Sequence, residues 1–258
     1  MKQTQFSHYD WPTVERLAFP VPSDHFWSSQ RLKREFYFYS KRALDVLIAV
    51  VALILLLPLL LLVAILIPLD SPGSPIFKQT RVSARRKRTA RGELWEVCEF
   101  TCYKFRSMYK TSSSDIHRAF VTAFMHNDQA GMTDVQGEDT TVRKLVNDPR
   151  ISRVGHFIRR TSIDELPQLW NVLKGDMSIV GPRPAIPYEV EMYAPWHQKR
   201  LRAKPGLTGW WQIKGRGIVE FDEGVKQDIW YVRHQSLALD LMIIVRTPGA
   251  VLTRKGAR

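Results

Sequence analysis

Asp164 and Glu165 stand side by side in the stretch DPRISRVGHFIRRTSIDELPQLWNVLKGDMSIVGPRP, which runs from Asp148 to Pro184. Arg150, Arg153, Arg159 and Arg160 precede the pair and Arg183 follows it. Carboxylates among several guanidinium groups are the components of a metal-assisted phosphoryl-transfer site, in which the cations neutralise phosphate charge. Read alone, the pair is a helix cap, because Ser162-x-x-Glu165 fits a capping box. That frame puts Pro167 at the fifth helical position, where its missing N–H breaks an internal bond; with Asp164 as N-cap it stands third and loses nothing. Both frames leave the two acids at a helix N-terminus, where free N–H groups and the dipole favour anions. Arg183 lies between Pro182 and Pro184, which keeps it extended and lets its fork project toward a phosphate.

A second cluster, KPGLTGWWQIKGRG, runs from Lys204 to Gly217 and presents Arg216 from a glycine-flanked loop. Trp210 and Trp211 suit either stacking on a base or packing in the core. Asp222, Asp228 and Asp240 read more naturally as ion-pair partners than as second-site acids.

The elements that must carry these groups can be read from spacing. Leu166, Leu169, Trp170 and Leu173 at i, i+3, i+4 and i+7 predict an amphipathic helix, with Gly175 as its stop. Pro75 to Arg81 and Trp95 to Met108 read as strands. The run ARRKRTARG between them reads as a solvated loop that would also suit anionic lipid. Residues 111–147 are polar and weakly periodic, a surface insertion with a helix near Ile116–His126.

From Val46 to Leu69 the chain carries no charge. An apolar run of this length belongs in a bilayer. Pro58 divides it into halves of about 17 Å, roughly half of a hydrocarbon core. Lys/Arg residues crowd both flanks, whereas a spanning helix shows excess positive charge on one side only. The pattern favours a re-entrant helix hairpin with both ends in the cytoplasm over a kinked span. Asp45 is expected at headgroup level, paired with Lys41 or Arg42, and Phe36–Tyr39 suits an interfacial anchor.

Composition agrees with a folded membrane-associated chain. Among 258 residues, 38 Lys+Arg against 25 Asp+Glu give a formal net charge of +13, and 45% hydrophobic residues exclude a mainly disordered chain. The charge points to a polyanionic partner: nucleic acid, an anionic membrane surface or phosphorylated substrates. Two cysteines, Cys98 and Cys102, exclude a disulfide scaffold and a four-ligand zinc site and read as plain buried thiols. No HExxH, GxSxG or GxxxxGK[ST] occurs.

These motifs together resemble the bacterial sugar transferase family, the monotopic polyprenyl-phosphate hexose-1-phosphate transferases. The resemblance rests on Lys41-Arg42-x-x-Asp45 before a proline-bearing apolar run, on PIFKQTR, YKFRSM and the Asp148–Pro184 block, and on KPGLTGWWQIKGRG and D-x-x-Y…SLALDL. It implies transfer of a sugar-1-phosphate from a UDP-sugar to undecaprenyl phosphate with release of UMP, at the cytoplasmic face of the bacterial inner membrane. Mg²⁺ is the implied cofactor. Asp164 matches the nucleophile and Glu165 its partner as metal ligand or base. Arg159, Arg183 and Arg216 match phosphate-holding positions, and Lys104 and Arg106 the basic pair before the insertion. Partners are then the donor, the lipid acceptor and membrane lipid, without nucleic acid; homodimerisation stays open. The rival reading is a non-catalytic, membrane-bound basic scaffold that binds anionic lipid.

The expectation is thus a mixed α/β, mainly helical fold. It has an N-terminal extension and interfacial segment (1–40), a re-entrant helix-break-helix (41–74) and a compact cytoplasmic catalytic domain with short strands (75–258).

Overall fold

The computed structural model describes residues 18–20, 28–89, 92–109, 115–136, 148–215 and 219–252. In chain order these form β1 (Ala18–Pro20), α1 (Ser28–Asp70), β2 (Ile76–Thr89), β3 (Gly92–Phe105), α2 (Asp115–Met125) and α3 (Gln129–Gln136). They continue with α4 (Arg153–Arg160), a 3-10 turn (Ile163–Glu165), α5 (Gln168–Lys174), β4 (Ser178–Val180) and α6 (Pro187–Glu191). A second 3-10 turn (His197–Leu201), β5 (Gly206–Thr208), α7 (Trp210–Gly215), α8 (Phe221–His234) and α9 (Leu237–Leu252) complete them. The chain is mostly helical, as expected, and α2 falls on the helix anticipated in the insertion.

The apolar run lies within a single helix, α1, of 43 residues with Pro58 and Pro68 inside it. The expected break at Pro58 is absent as a secondary-structure interruption. An apolar medium offers freed backbone groups no water, so the remaining helical hydrogen bonds persist around a proline. The helix shows one face to the exterior: Leu47, Ile54, Leu55, Leu61, Ile65 and Leu69 are all more than half exposed.

Its other face is built into the protein. Ala49 is fully buried in the main core with Phe100, Leu169, Val172, Met177, Tyr231 and Ile243. Further along, Val63 and Ile67 pack with Phe105 and Ile158. Asp45 does not sit among headgroups beside Lys41 or Arg42. It is 5% exposed and accepts the Ser178 hydroxyl at 3.0 Å and the Ile179 N–H at 2.9 Å. Lys41 pairs with Asp240 instead, at 2.9 Å, and donates to the Val180 carbonyl at 3.0 Å. Arg42 donates to the Val172 and Leu173 carbonyls at the C-terminal end of α5, where a cation meets the negative end of the helix dipole. Within Phe36–Tyr39 the two roles separate: Phe36 and Tyr39 are exposed, while the Tyr37 hydroxyl donates to Asp240 and Phe38 packs on Trp95.

β2 and β3 pair antiparallel from Ile76↔Phe105 to Thr89↔Gly92, and β1 adds to β3 at residues 94–96. The basic run is therefore mainly strand, and residues 90 and 91 lie outside the described residues. Neighbouring elements supply what a loop would have drawn from water: across the strands Lys87 pairs with Glu96 at 2.7 Å, while Arg86 pairs with Glu35 of α1 and lies over the Phe38 ring of the same helix. Behind the hairpin, β4 and β5 form a parallel pair that enters the main core beside α5 and α9.

Candidate functional site

The acidic pair sits on the 3-10 turn, one turn ahead of α5. Neither capping frame forms. Ser162 is left-handed at φ 57°, its side chain makes no cap bond, and Pro167 immediately precedes the first residue of α5. The proline thus forfeits no helical bond, and Asp164 and Glu165 lie on the turn ahead of α5. At the far end Gly175 stops α5 at φ 86°, as its residue type predicts. Of the expected apolar face, Leu169 is buried but Trp170 is 55% exposed, because α5 turns Gln168, Asn171 and Val172 inward.

Ile163, the first residue of the turn, packs against the cluster of Val63, Ile67, Phe105 and Ile158. Glu165 faces the other way and meets Lys104 Nζ at 3.1 Å. Around this pair a small cavity of about 20 Å³ is lined by Arg81, Lys104, Glu165, Gln168, Arg183 and Gln212, among others. Three residues proposed from sequence, Lys104, Glu165 and Arg183, thus share one cleft with three further donor-bearing side chains, Arg81, Gln168 and Gln212, that the sequence reading did not single out. Lys104 reaches it because β3 places it opposite Phe77. It therefore lies on the same sheet face as Gln79 and Arg81, two and four residues along β2 from that partner.

The loop that carries Arg183 is pinned at every carbonyl. Gly206 N–H donates to Pro182 O at 2.8 Å, Arg81 Nη1 to Pro184 O at 2.9 Å and Val82 N–H to Ala185 O at 2.9 Å. The Arg183 carbonyl accepts Arg200 Nη2 at 3.4 Å. Arg81 itself is buried, and its Nε and Nη2 both donate to the side-chain oxygen Oε1 of Gln79.

Asn171 braces the same region from beneath. Its side-chain amide accepts the Tyr103 N–H at 3.0 Å and donates to the Thr101 carbonyl at 2.7 Å. It occupies the free edge of β3 as a neighbouring strand would, next to Lys104.

The remaining expected residues are placed as follows. Arg159 lies in the last turn of α4, and its carbonyl accepts the Ser162 N–H that leads into the acidic turn. Arg106 is placed elsewhere: its terminal nitrogens are committed to the carbonyls of Ser71, Pro72 and Gly73 at the exit of α1, so the basic pair divides between site and scaffold. Arg216 lies outside the described residues. Trp210 stacks on Trp230 at 4.7 Å. Asp228 and Asp240 pair with the cations Arg200 and Lys41, and Asp222 bonds His197 Nε2 at 3.1 Å, an imidazole whose pKa burial lowers.

The site's positive charge is felt nearby. Burial, reinforced by Arg183 and Arg81, lowers the His117 pKa to about 4, so its imidazole is neutral at pH 7 and bonds the Tyr188 hydroxyl at 2.8 Å. Cys98 and Cys102 are not activated; burial pushes both thiols up. For a divalent cation, no cluster of three or more His, Cys, Asp or Glu side chains exists among the described residues. Asp164 and Glu165 do offer two adjacent carboxylates. That number suits Mg²⁺, which typically takes one or two carboxylates and completes its shell with water and substrate phosphate.

Comparison with known proteins agrees with the motifs. A family model described as bacterial sugar transferase matches residues 36–254, and the chain belongs to that family. One relative is a UDP-galactose-lipid carrier transferase of Erwinia amylovora, 42% identical over 219 residues that cover 85% of this chain and 42% of that protein. Another is an undecaprenyl-phosphate galactose phosphotransferase of Salmonella typhimurium, 40% identical over the same share of each. The exopolysaccharide production protein ExoY of Sinorhizobium fredii is 40% identical over 218 residues, 84% of this chain and 88% of its own length. The chain thus spans about two fifths of the first two relatives and most of the third.

Proposed function

We propose that this chain transfers a sugar-1-phosphate from a UDP-sugar to undecaprenyl phosphate, releasing UMP, as the first membrane step of a polysaccharide synthesis. One juxtaposition carries the reading. The turn Ile163–Glu165 lies between an apolar cluster that α1, β3 and α4 build together (Val63, Ile67, Phe105 and Ile158), against which Ile163 packs, and the basic cleft, where Glu165 meets Lys104. A carboxylate held there can meet a soluble nucleotide and a lipid phosphate that arrives in the bilayer plane. The names borne by the relatives, a lipid-carrier transferase and an undecaprenyl-phosphate phosphotransferase, are of the same kind.

In this mechanism a carboxylate oxygen of Asp164 attacks the phosphorus that bears the sugar. The bond from that phosphorus to the UMP oxygen breaks, and UMP leaves with the electron pair. An oxygen of undecaprenyl phosphate then attacks the same phosphorus, which frees Asp164 and yields the lipid-linked diphosphosugar. An anionic nucleophile and anionic phosphates repel each other. Lys104, Arg159, Arg183 and Arg216 offset that repulsion, and one guanidinium contact to transition-state charge is worth ~10³ or more in rate. Mg²⁺ held by Asp164 and Glu165 would neutralise further phosphate charge.

The same reading makes α1 re-entrant from the cytoplasmic side of the inner membrane. In support, Asp45 near its start bonds β4, and Asp70 at its end accepts the Val154 N–H at 2.9 Å. Both ends of the apolar run are therefore tied to one folded domain.

The test is UMP release by purified protein given a panel of UDP-sugars and undecaprenyl phosphate. Asp164→Asn should abolish it. Undiminished release by that variant would overturn the mechanism, and no release from any donor would favour the scaffold reading.

A further inference from the structure

Pro182 and Pro184 have no N–H, so the only backbone donor between Gly181 and Ala185 is that of Arg183. That N–H donates to the Asp228 carboxylate. The Arg183 carbonyl faces Arg200 Nη2 at 3.4 Å, and the same nitrogen lies 2.5 Å from Asp228 Oδ2. One ion pair thus grips both backbone polar groups of a single residue. Its two halves come from different elements, Arg200 from the second 3-10 turn and Asp228 from α8. Their side chains are 7% and 2% exposed, and Tyr193 Oη accepts the other Arg200 terminal nitrogen at 3.0 Å. Arg183 itself is exposed between two buried prolines and lines the cleft with Lys104 and Glu165.

A buried ion pair is a poor device for stability. The desolvation of two charges offsets their attraction, and apolar residues of similar volume often do as well or better. Nor does this pair lend the cleft a net charge, since its two halves cancel. What it supplies is direction: it fixes the backbone from which the Arg183 side chain departs.

We infer that Arg200 and Asp228 are positioning residues for Arg183: the buried pair holds the Gly181–Pro184 loop so that one guanidinium is aimed into the cleft before a donor phosphate arrives. This rests on the proposed role of Arg183 as a phosphate holder. Displacement of such a group by about 1 Å can cost on the order of 10²-fold in rate.

The test is a double-mutant cycle on UMP release, with apparent Tm recorded for each variant. Arg200→Met/Asp228→Leu replaces the pair by apolar side chains. It should keep a cooperative unfolding transition and lose roughly 10²-fold in kcat/KM. Introduced into Arg183→Ala, the same double change should cost less than about threefold more, because the residue it serves is already gone. Wild-type kcat/KM in the apolar pair, or its full loss repeated on top of Arg183→Ala, would overturn the inference. Should the apolar pair not fold, Asp228→Asn keeps the shape and an acceptor for the Arg183 N–H. Its loss, about tenfold, should likewise vanish in the Arg183→Ala background, and an additive loss refutes positioning. If Arg183→Ala alone turns over like wild type, the phosphate-holding role fails first and this inference goes with it, while Asp164→Asn still reports on the mechanism as a whole.

Discussion

Replacement of Asn171 by leucine tests whether one buried amide sets the distance between Lys104 and Glu165. Asn171 is fully buried and stands in for a missing strand along β3, bonded to Thr101 O at 2.7 Å and to Tyr103 N–H at 3.0 Å. Leucine is close in size but satisfies neither group. Each orphaned buried polar group costs ~1–3 kcal/mol, and the added apolar surface returns part of that, which leaves a net loss of about 3 kcal/mol. For a chain of this size that corresponds to a fall in Tm of roughly 6–12 °C. The effect on chemistry should be separate from the effect on stability. Lys104 follows Tyr103 directly, and the turn bearing Glu165 leads into the helix that carries Asn171, so loosening this brace lengthens the 3.1 Å contact across the cleft. The assay pairs thermal unfolding in lipid nanodiscs with UMP release well below Tm, where every variant is folded. Turnover should drop along with Tm. Asn171→Asp should be nearly as harmful, since it keeps the acceptor but loses the donor and brings a second carboxylate close to Asp176, now 3.4 Å from the amide nitrogen. A leucine variant with Tm within about 2 °C of wild type and normal turnover would refute the bracing argument.

Three other outcomes follow from the geometry. A Cβ at Gly181 would lie 2.3 Å from the Lys204 carbonyl oxygen, so Gly181→Ala must part β4 from β5 by about 1 Å and should cut kcat/KM by roughly 10²-fold in the same UMP assay. Lys104→Met and Arg106→Met should separate cleanly: the first lowers turnover with little change in Tm, the second lowers Tm by leaving the carbonyls of Ser71, Pro72 and Gly73 without their donor. The His117 pKa lies near 4 in the folded protein against 6.5 when unfolded, so the unfolded chain takes up that proton first as pH falls. Stability should therefore decline between those two pH values, by at most about 3 kcal/mol from this group, and His117→Gln should flatten that part of the Tm profile.

What could be read from sequence were groups whose chemistry is carried by residue type. Glu165 and Arg183 needed only their charges, a proline on either side of the arginine, and the expectation that opposite charges about a phosphate site converge, whereas Lys104 came only through the family resemblance. Arg81 and Asn171 escaped notice because their roles depend on register. Arg81 faces the cleft only once Ile76 is paired with Phe105, and Asn171 matters only because β1 stops short of covering β3 at residues 101–103. The basic run from Ala84 misled for a related reason: in isolation it asks for water, but Glu96 answers it from the neighbouring strand and Glu35 and Phe38 answer it from α1. Ser162 failed as a cap because the chain turns left-handed there, at φ 57°, and its side chain makes no cap bond.

The interlocking of α1 with the main core bears on how the protein can be handled. A soluble fragment trimmed to begin after the apolar helix would keep the cleft residues on paper. It would also strip Ala49 from the packing around Val172 and Tyr231, and remove the acceptor for Ser178 and Ile179 and the cation that binds Val180 and Asp240. Val180 lies two residues ahead of Pro182, so the damage would fall beside the loop that carries Arg183. For this fold one face of the long apolar helix is part of the core, and a fragment that lacks it would lack part of its own centre.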